Sequence, residues 1–403
     1  MTEQEKTPSD WRKSRLGRLL TIKHGYAFKS ECFAASGPFV LLTPGNFYED
    51  GGFRSKGDQE KYYTGDVPSE YILKRGDLLI AMTEQAPGLL GSSILVPEDN
   101  LYLHNQRLGL VNDLDESEID RLFLYYLFNY RGVRAQIHTT ASGTKVRHTA
   151  PSRIYEVEVL LPLLPEQRKI AEILSTWDRA IALTERCIEA ARQRKKGLMQ
   201  RLLTGRVRFP EFGRDEWQEV QLGKVFTERK EQGHEDLPLL SVTADEGIIH
   251  RDELDRRDTS SADKSKYLRV HKGDIVYNTM RMWQGRSGVS SLEGIVSPAY
   301  TVCKPKPSVD SDFVGYLFQL PSVVYLFRRY SQGLVSDTWN LKFKHFAGIR
   351  VRIPKIEEQR CIAAVLQACD REIELLIQKR DALQRQKKGL MQQLLRGRVR
   401  VKV

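Results

Sequence analysis

The sequence lacks the features that mark a secreted, membrane-spanning or zinc-binding protein. Its 403 residues include five cysteines, and these form no C-x-x-C pair and no cluster with histidine. This spacing argues against a structural zinc site and against a secreted disulfide framework. No run of about 18 apolar residues occurs, and the first residues have no apolar segment typical of a signal peptide. We therefore expect a cytoplasmic protein with no membrane association.

Motifs of several enzyme classes are also missing. The chain has no G-x-x-x-x-G-K-(S/T) phosphate loop and no H-E-x-x-H metal motif. Ser297–Tyr300 reads SPAY, which is close to the (D/N/S)PP(Y/F) loop of DNA amino-methyltransferases but lacks the second proline. Glu228 and Lys230 form the E-x-K of some magnesium-dependent nucleases, but no Pro-Asp dipeptide precedes them. We interpret SPAY as a turn and expect no catalytic or metal site in this chain.

A surplus of positive charge is present instead. Lys and Arg number 63 against 52 Asp and Glu, giving a formal net charge of +11. Such a surplus favours a polyanionic partner, and nucleic acid is the first candidate. The 40% hydrophobic and 29% charged residues are typical of a globular protein, and the length suggests two domains.

The chain contains a long internal repeat. Residues 162–208 align with residues 354–400 without a gap, and 24 of the 47 positions are identical. Both copies end in KKGLMQ, a Leu pair and GRVR. Matching residues also occur before each copy, such as Trp11 and Trp217, but the number of residues that separates such matched pairs is not constant. The loops between successive matched positions therefore differ in length in the two copies. The sequence therefore predicts two copies of one unit, each with a variable part followed by a nearly constant part.

Each constant part has apolar residues at the spacing of a coiled coil. The steps alternate between four and three residues, which predicts a heptad seam along one helix face. Pro165 suits the first turn of the first helix, and Gly205 and Gly397 suit the two ends. Each helix would contain about 38 residues and measure about 57 Å. The seam residues that we assign to helix–helix packing and subunit docking are Ile170, Leu174, Trp177, Ile181, Leu198 and Leu202, with Ile362, Leu366, Ile373, Leu390 and Leu394 in the second copy.

Two lysines, Lys195 and Lys387, occupy positions of this seam. Their long side chains could extend outward to solvent near a frayed helix end. Alternatively, a polar seam residue could fix the register of the helix pair or face a partner. The sequence leaves both interpretations open.

The variable parts show mixed secondary-structure patterns. LLIAM, IVYNT, VEVLLP and IRVRIP predict strands, whereas FLYYLFNY and DFVGYLFQL predict short buried helices. The predicted fold class is α+β, with two globular domains joined by two long antiparallel coiled-coil helices in a pseudo-two-fold repeat. The predicted divisions are a first domain at 1–160, a helical spacer at 161–205, a second domain at 206–352 and a second helical spacer at 353–403.

Polar and basic loop residues are candidates for contacts with DNA. Lys and Arg neutralise phosphates, and Arg, Asn, Gln and Thr reach base edges. Each residue taken singly could equally be an ordinary solvated surface group. As a set they fall in matching places of both copies: Thr83, Gln85, Asn105, Gln106, Arg107, Lys145 and Arg147, then Asn278, Arg281, Trp283, Gln284, Arg286, Asn340, Lys342 and Lys344.

The order of these parts resembles the specificity subunit of type I restriction–modification systems. The resemblance covers essentially the whole chain and rests on the paired EQR and KKGLMQ segments of the repeat. It implies two target-recognition domains, each reading one half of a bipartite asymmetric DNA site, with the helices setting the spacer. Which residues touch bases is not implied, because recognition domains of this family diverge.

The resemblance also implies partners and cofactors. The expected partners are double-stranded DNA, two methyltransferase subunits and restriction subunits. S-adenosylmethionine, ATP and magnesium are expected in those partner subunits and none of them in this chain, which would then be non-catalytic. A specificity subunit of a related type IIB-like system, a self-contained methyltransferase or nuclease, and a structural coiled-coil scaffold remain the alternatives.

Overall fold

The computed structural model describes residues 8–85, 88–243, 247–254, 263–335 and 338–402. The chain divides into two compact units. The first unit runs to Thr184 and resumes at Lys379, and the second runs from Glu185 to Gln378. Each unit therefore contains one variable part, the start of one long helix and the end of the other.

The elements of the first half of the chain alternate short strands with a few helices. Its strands are β1 Arg12–Arg15, β2 Thr21–His24, β3 Phe33–Ala34, β4 Phe39–Leu41, β5 Tyr62–Tyr63, β6 Leu78–Ala81, β7 Thr83–Glu84, β8 Ser93–Leu95, β9 Tyr102–Leu103, β10 Leu108–Asn112, β11 Arg147–His148 and β12 Glu158–Leu161. Its helices are α1 Arg121–Asn129, α2 Arg131–Thr139, α3 Pro151–Tyr155 and α4 Leu164–Leu202.

The second half repeats this order. Its strands are β13 Gln218–Gln221, β14 Phe226–Glu228, β15 Leu240–Val242, β16 Ile248–His250, β17 Leu268–Val270, β18 Ile275–Asn278, β19 Ser287–Val289, β20 Gly294–Val296, β21 Tyr300–Pro305 and β22 Arg350–Ile353. Its helices are α5 Leu222–Val225, α6 Ser311–Leu317, α7 Pro321–Tyr330, α8 Phe343–Phe346 and α9 Ile356–Leu394.

A four-stranded antiparallel sheet lies at the centre of each unit. In the first unit the order is β2-β10-β6-β8, and in the second it is β14-β21-β18-β19. The strand before each long helix pairs with the first strand of the same copy, β12 with β1 and β22 with β13. The remaining small sheets are β3-β5-β4-β9, β11-β7, β15-β16 and β17-β20. The predicted α+β class is confirmed.

The two long helices match the heptad prediction closely. Both contain 39 residues, and Gly205 and Gly397 follow their ends with φ of 68° and 69°. Only glycine adopts this left-handed backbone without cost, so these residues stop the helices where the sequence indicated. The seam residues lie inward. Ile170, Leu174, Leu202, Ile362, Leu366 and Leu394 are buried, and Trp177, Ile181, Leu198, Ile373 and Leu390 are half-buried.

A polar contact at the seam orders the helix segments of the second unit. The Lys195 ammonium lies 2.5 Å from a carboxylate oxygen of Asp370 and 5.0 Å from the centre of the Tyr316 ring. The Tyr316 hydroxyl donates to the other Asp370 oxygen at 2.6 Å. Burial, together with this carboxylate, raises the pKa of Tyr316 well above its usual range, so the hydroxyl remains a donor.

The first unit contains the same contact in the other copy of the repeat. Lys387 lies 2.5 Å from Asp178, and the Tyr126 hydroxyl donates to Asp178 at 2.7 Å. Lys387 also lies 5.3 Å from the centre of the Tyr126 ring. In the first unit Lys387 pairs with Asp178 and Arg400 with Glu166, so the later residue on the α9 side meets the earlier residue of α4 and the two segments run antiparallel. The second unit shows the same order, with Lys195 on Asp370 and Arg208 on Glu358. Of the two interpretations of the seam lysines, the one in which they hold the register fits these contacts.

The Glu and Gln of each EQR segment lock the helix start to the globular part. Gln167 is buried, and its amide donates to Glu118 and Pro162 carbonyls, both at 2.9 Å, while its oxygen accepts from Asp120 N–H. Gln359 repeats these bonds with Ser308, Pro354 and Asp310. The neighbouring glutamates form two-bond ion pairs with the GRVR arginines, Glu166 with Arg400 and Glu358 with Arg208.

The long helices therefore do not pack as separate spacer domains. The seam residues at each helix start join the hydrophobic core of their own unit: Ile170 and Leu174 belong to the cluster that contains Phe123, and Ile362 and Leu366 to the cluster that contains Phe313. The sequence divisions at residues 161 and 353 mark changes of secondary structure. The compact units instead divide each long helix in its middle.

Candidate nucleic-acid interface

In the first unit, three of the predicted loop segments meet around Met82, which follows the buried strand β6. The Met82 N–H donates to the Arg107 carbonyl at 3.0 Å, and the Met82 carbonyl accepts from the Thr149 N–H at 3.0 Å. Strand β7 then pairs with β11, which places Thr83 opposite His148 and Glu84 opposite Arg147. The fold thus brings together the segments that contain Thr83, Asn105–Arg107 and Arg147. These segments are far apart in the sequence, which alone does not show that they meet.

In the turn at 105–108, two candidate side chains are exposed and one is buried. Asn105 is buried, and its side-chain oxygen accepts the Arg107 N–H at 3.0 Å. We expected Asn105 to reach DNA, but its burial and this bond make it a positioning residue for the turn. Gln106 and Arg107 are exposed at the surface.

His104 stabilises the same turn from the protein interior. Its ring is buried, with Nε2 3.0 Å from the Leu108 carbonyl. Burial lowers the pKa of His104 to about 4, because the protonated ring would be desolvated. The ring is therefore neutral at physiological pH and donates from Nε2.

A buried carboxylate anchors the loop that follows β7. One oxygen of Glu84 accepts the N–H groups of Gly88, Leu89 and Leu90 at 2.9–3.0 Å. Its other oxygen has no hydrogen-bond partner among the described residues, although His138 Nδ1 lies 3.6 Å away. Arg134 holds the same loop by donating to the carbonyls of Gly88, Leu90 and Glu49.

Sequence reasoning overlooked Glu84, Arg134 and His138. Their partners are backbone groups or side chains distant in sequence, so no local pattern reveals them. Arg147, which we predicted as a DNA contact, belongs to this network. It donates to the His138 carbonyl at 2.6 Å, yet its side chain remains 40% exposed. Gln85 and Lys145 are exposed, and Thr83 is half-buried.

The second unit has the same three-way junction, centred on Thr279. The Thr279 N–H donates to the Ala299 carbonyl at 3.1 Å, and its own carbonyl accepts from Leu341 N–H at 2.9 Å. This makes the SPAY segment the counterpart of the turn at 105–108. The Ser297 hydroxyl accepts the Ala299 N–H at 3.3 Å, as Asn105 accepts that of Arg107. The interpretation of SPAY as a turn fits this geometry.

The remaining candidates of the second unit surround that junction. Asn278 accepts the Met280 N–H, and Asn340 donates to the carbonyls of Gln332 and Thr338. Arg281, Gln284, Arg286, Lys342 and Lys344 are exposed.

An aromatic pair borders this basic surface. Trp283 and Trp339 lie edge to face, with ring centres 5.4 Å apart, and the Arg328 guanidinium lies 5.2 Å from the Trp339 centre. Trp283 uses its indole N–H on the Met280 carbonyl at 3.1 Å, so it offers a ring face rather than a donor.

Six of the eleven seam residues that we also assigned to subunit docking are buried in the hydrophobic cores. Ile170, Leu174 and Leu394 join the core of the first unit, and Leu202, Ile362 and Leu366 join that of the second. Their helix–helix role agrees with this packing, and their buried side chains offer no surface to a partner. The other five seam residues are half-buried, so their assignment to subunit docking stays a prediction: Trp177, Ile181, Leu198, Ile373 and Leu390.

The described residues lack two other kinds of site. No group of three or more His, Cys, Asp or Glu side chains is arranged to hold a metal ion. No described helix combines the length and the apolarity that crossing a bilayer requires.

Most of the chain matches the model of one known protein family. The model of the type I restriction modification DNA specificity domain matches residues 8–193 and 214–385. The chain belongs to this family. The two matched stretches correspond to the two copies that the repeat predicted, so each copy is one specificity domain.

Individual relatives agree over most of the chain. A Methanocaldococcus jannaschii protein assigned as the type I restriction enzyme MjaX specificity subunit is 27% identical, over 100% of this chain and 96% of its own length. The type I restriction enzyme MjaVIII specificity subunit of the same organism is 26% identical over 70% of this chain and 71% of its own.

Solved structures share the fold at lower identity. The S subunit of a type I restriction–modification system from M. genitalium superposes with a TM-score of 0.57 at 17% identity, covering 98% of both chains. A chain from a structure of type I system assembly and conformational transition has the same TM-score at 20% identity, covering 98% of this chain and all of its own.

Proposed function

We propose that this protein is the DNA specificity subunit of a type I restriction–modification complex and that each junction reads one half of a bipartite DNA site. The observation that carries the proposal is the pair of equivalent three-segment junctions. They share a backbone framework, but they differ in almost every side chain at the surface. A shared framework with different surface side chains suits two domains that bind DNA at different sequences.

The chemistry of both surfaces is that of DNA recognition. Gln106 and Arg107 in the first unit can pair bidentately with base edges, while Lys145 suits a phosphate. In the second unit Arg281, Gln284 and Arg286 can reach bases, and Lys342 and Lys344 suit phosphates. The net charge of +11 adds a sequence-independent attraction.

The chain would work as a non-catalytic adaptor. Its proposed partners are two methyltransferase subunits, which supply S-adenosylmethionine chemistry, and restriction subunits, which use ATP and magnesium. No residue of this chain takes part in methyl transfer or strand cleavage in this proposal. A cytoplasmic location follows from the substrate, which is cellular or invading DNA.

A domain exchange tests the proposal. Residues 1–160 are replaced by the corresponding domain of another specificity subunit, and the chimera is purified with the methyltransferase of this system. Sequencing of the methylated DNA should show that one half of the recognised sequence changes and the other half stays. An unchanged recognition sequence contradicts the proposal.

A second experiment addresses the alternative of a self-contained enzyme. The purified chain alone is incubated with DNA and labelled S-adenosylmethionine, and separately with DNA and magnesium. We expect neither methylation nor cleavage above a no-protein control. Salt-dependent DNA binding by the same sample distinguishes a DNA adaptor from a purely structural scaffold, since phosphate contacts weaken steeply with salt.

A further inference from the structure

One loop of each unit leads into the junction and is closed by the same pair of backbone hydrogen bonds. In the first unit Ser142 and His148 exchange N–H to carbonyl bonds at 3.0 and 2.8 Å. In the second unit Gln332 and Asn340 do the same, both at 2.8 Å. In both units the next residue along the chain donates its N–H to the residue at the centre of the junction. The two loops therefore stand at equivalent places beside the candidate DNA surfaces.

The tips of these loops have opposite chemistry. A glycine follows the first bridge residue in each loop, and the next two residues are Thr144 and Lys145 in the first unit but Leu334 and Val335 in the second. Leu334 is 100% exposed and Val335 is 60% exposed. Thr144 and Lys145 are also exposed, but their polar groups can bind water. Two aliphatic side chains exposed together beside a candidate binding surface favour a contact outside the chain.

Backbone and side-chain bonds hold the apolar tip, which consists of Leu334 and Val335. The hydroxyl and the N–H of Thr338 both donate to the Val335 carbonyl at 2.9 Å. The Asn340 amide donates to the Thr338 carbonyl at 3.3 Å. Gly333 before the tip has a φ of 145°, and an added Cβ would lie 2.7 Å from the Thr338 carbonyl oxygen. Because these contacts form within the chain, the tip is presented without a large ordering cost on binding.

The surroundings of the apolar tip favour DNA as its contact. Arg281, Lys342 and Lys344 are exposed beside the junction that the loop enters, and their charges suit phosphates. The two sides of the loop are bridged as neighbouring strands are, which places them about 5 Å apart. The major groove of DNA is about 12 Å wide and admits such a two-stranded ribbon. The loop therefore fits the groove with its tip toward the bases.

We propose that the apolar tip reads the 5-methyl group of a thymine in the half of the DNA site that the second unit binds, with Leu334 making the contact. Base edges in the major groove present donors, acceptors and one apolar group, which is this methyl. The side chains of Leu334 and Val335 have no donor or acceptor, so the methyl is the group that they can recognise. The inference rests on the proposed function and deepens it by naming a base that the second half-site contains.

The test replaces thymine by uracil, which removes the methyl group and keeps base pairing. The exchange of residues 1–160 identifies the half-site of the second unit, because that half does not change. Each thymine of this half is then replaced singly, and binding of each duplex to the complex with methyltransferase is measured by competition. With the wild-type chain, one uracil should weaken binding about fourfold, which corresponds to one buried methyl group.

Two variants of one residue show whether the tip makes the contact. Leu334→Asn has nearly the shape of leucine without its methyl groups, and it should bind the thymine and uracil duplexes with affinities within about twofold. Leu334→Met keeps an apolar side chain and should keep the preference for thymine. Uracil in the other half-site is the matched control, and its effect should be the same with wild type and with both variants.

Since Leu334 is fully exposed, both variants should melt within about 2 °C of wild type and assemble with methyltransferase normally. No effect of uracil at any position of the second half-site, or a half-site without thymine, overturns the inference and leaves the proposed function intact. An equal uracil effect in wild type and Leu334→Asn assigns the methyl to another residue and also overturns it. So does loss of methyltransferase from Leu334→Asn, because the tip would then dock protein. If the wild-type complex has no sequence preference, both the inference and the proposed function fail.

Discussion

The two units share their framework but differ in almost every side chain that reaches the surface of the junction. The Tyr–Asp–Lys contact, the Gln lock and the Glu–Arg pair occur in both units with the same partners. At the junction, NQRL of the first unit corresponds to SPAY of the second, and Glu84 corresponds to an exposed Arg281. Contacts within the units are thus shared while exposed side chains at the junctions diverge, as the proposed reading of two different DNA half-sites requires.

The largest effect is expected at the seam, where both units are alike. Leu198→Asp should lower the stability of the second unit and Leu390→Asp that of the first, each by about 3 kcal/mol, because a carboxylate becomes half-buried without a partner. Thermal denaturation and hydrogen exchange resolve which unit is affected. Leu183→Asp is the control on the opposite face and should cost less than about 0.5 kcal/mol. Equal losses at seam and control positions would contradict the helix packing.

The second effect should occur in one unit only. Glu84→Ala removes the acceptor of three backbone N–H groups and should cost about 3 kcal/mol locally. A loss of local stability of that size should accelerate hydrogen exchange at the amides of Gly88, Leu89 and Leu90 by about two orders of magnitude. Arg281→Ala at the corresponding place in the second unit should leave exchange unchanged. Protection of the three amides in Glu84→Ala would show that the carboxylate does not hold the loop.

The third expectation concerns pH and again separates the units. His104 is buried neutral with a pKa of about 4, whereas the corresponding residue in the second unit is the buried Val296. An unfolded chain binds the proton near pH 6.5, so stability is present above that pH and is lost as the pH falls toward 4. From pH 7 to pH 5 the first unit should lose about 2 kcal/mol through this group.

Hydrogen exchange at the two pH values, corrected for intrinsic rates, measures that loss. Strands β6 and β10 of the first unit should become less protected at pH 5 than β18 and β21 of the second. His104→Gln should remove most of the difference. A loss of protection that is the same in both units would assign the pH effect to groups that the units share.

The smallest effect is expected at Gly205, the first of the two glycines that end the long helices. Gly205→Ala forces alanine into a left-handed conformation and should cost about 1 kcal/mol. At Gly397 the added Cβ would also lie 2.4 Å from Pro8 Cγ, so Gly397→Ala should cost more, about 2 kcal/mol. Thermal melts of the two variants check the order. The reverse order would show that the contact at Pro8 carries no strain.

Much of this architecture could be predicted because it is periodic or repeated. The heptad steps gave the long helices nearly to the residue, and the glycines at 205 and 397 gave their ends. The Gly-Asp turns followed by the runs LLIAM and IVYNT predicted the central strands β6 and β18. These features depend on neighbours within a few positions, which a sequence displays directly.

The candidate site was less accessible to sequence reasoning. The junctions at Met82 and Thr279 join segments that are separated by loops of different length in the two copies. Only the fold therefore reveals that SPAY and NQRL correspond. Asn105 has the chemistry of a base-reading residue but is buried, and Glu84 binds amides that follow it in a loop. The seam was correctly located, and six of its eleven side chains are buried within the chain.

The central claim is that each junction reads its own half of one DNA site, and methylated-site sequencing tests it most directly. The complex with methyltransferase is prepared with wild-type chain, with Gln106→Ala and Arg107→Ala combined, and with Arg281→Ala and Lys342→Ala combined. We predict that the first variant relaxes one half of the recognised sequence only, and the second relaxes the other half only. Relaxation of both halves by either variant, or of neither half by both, would contradict the account.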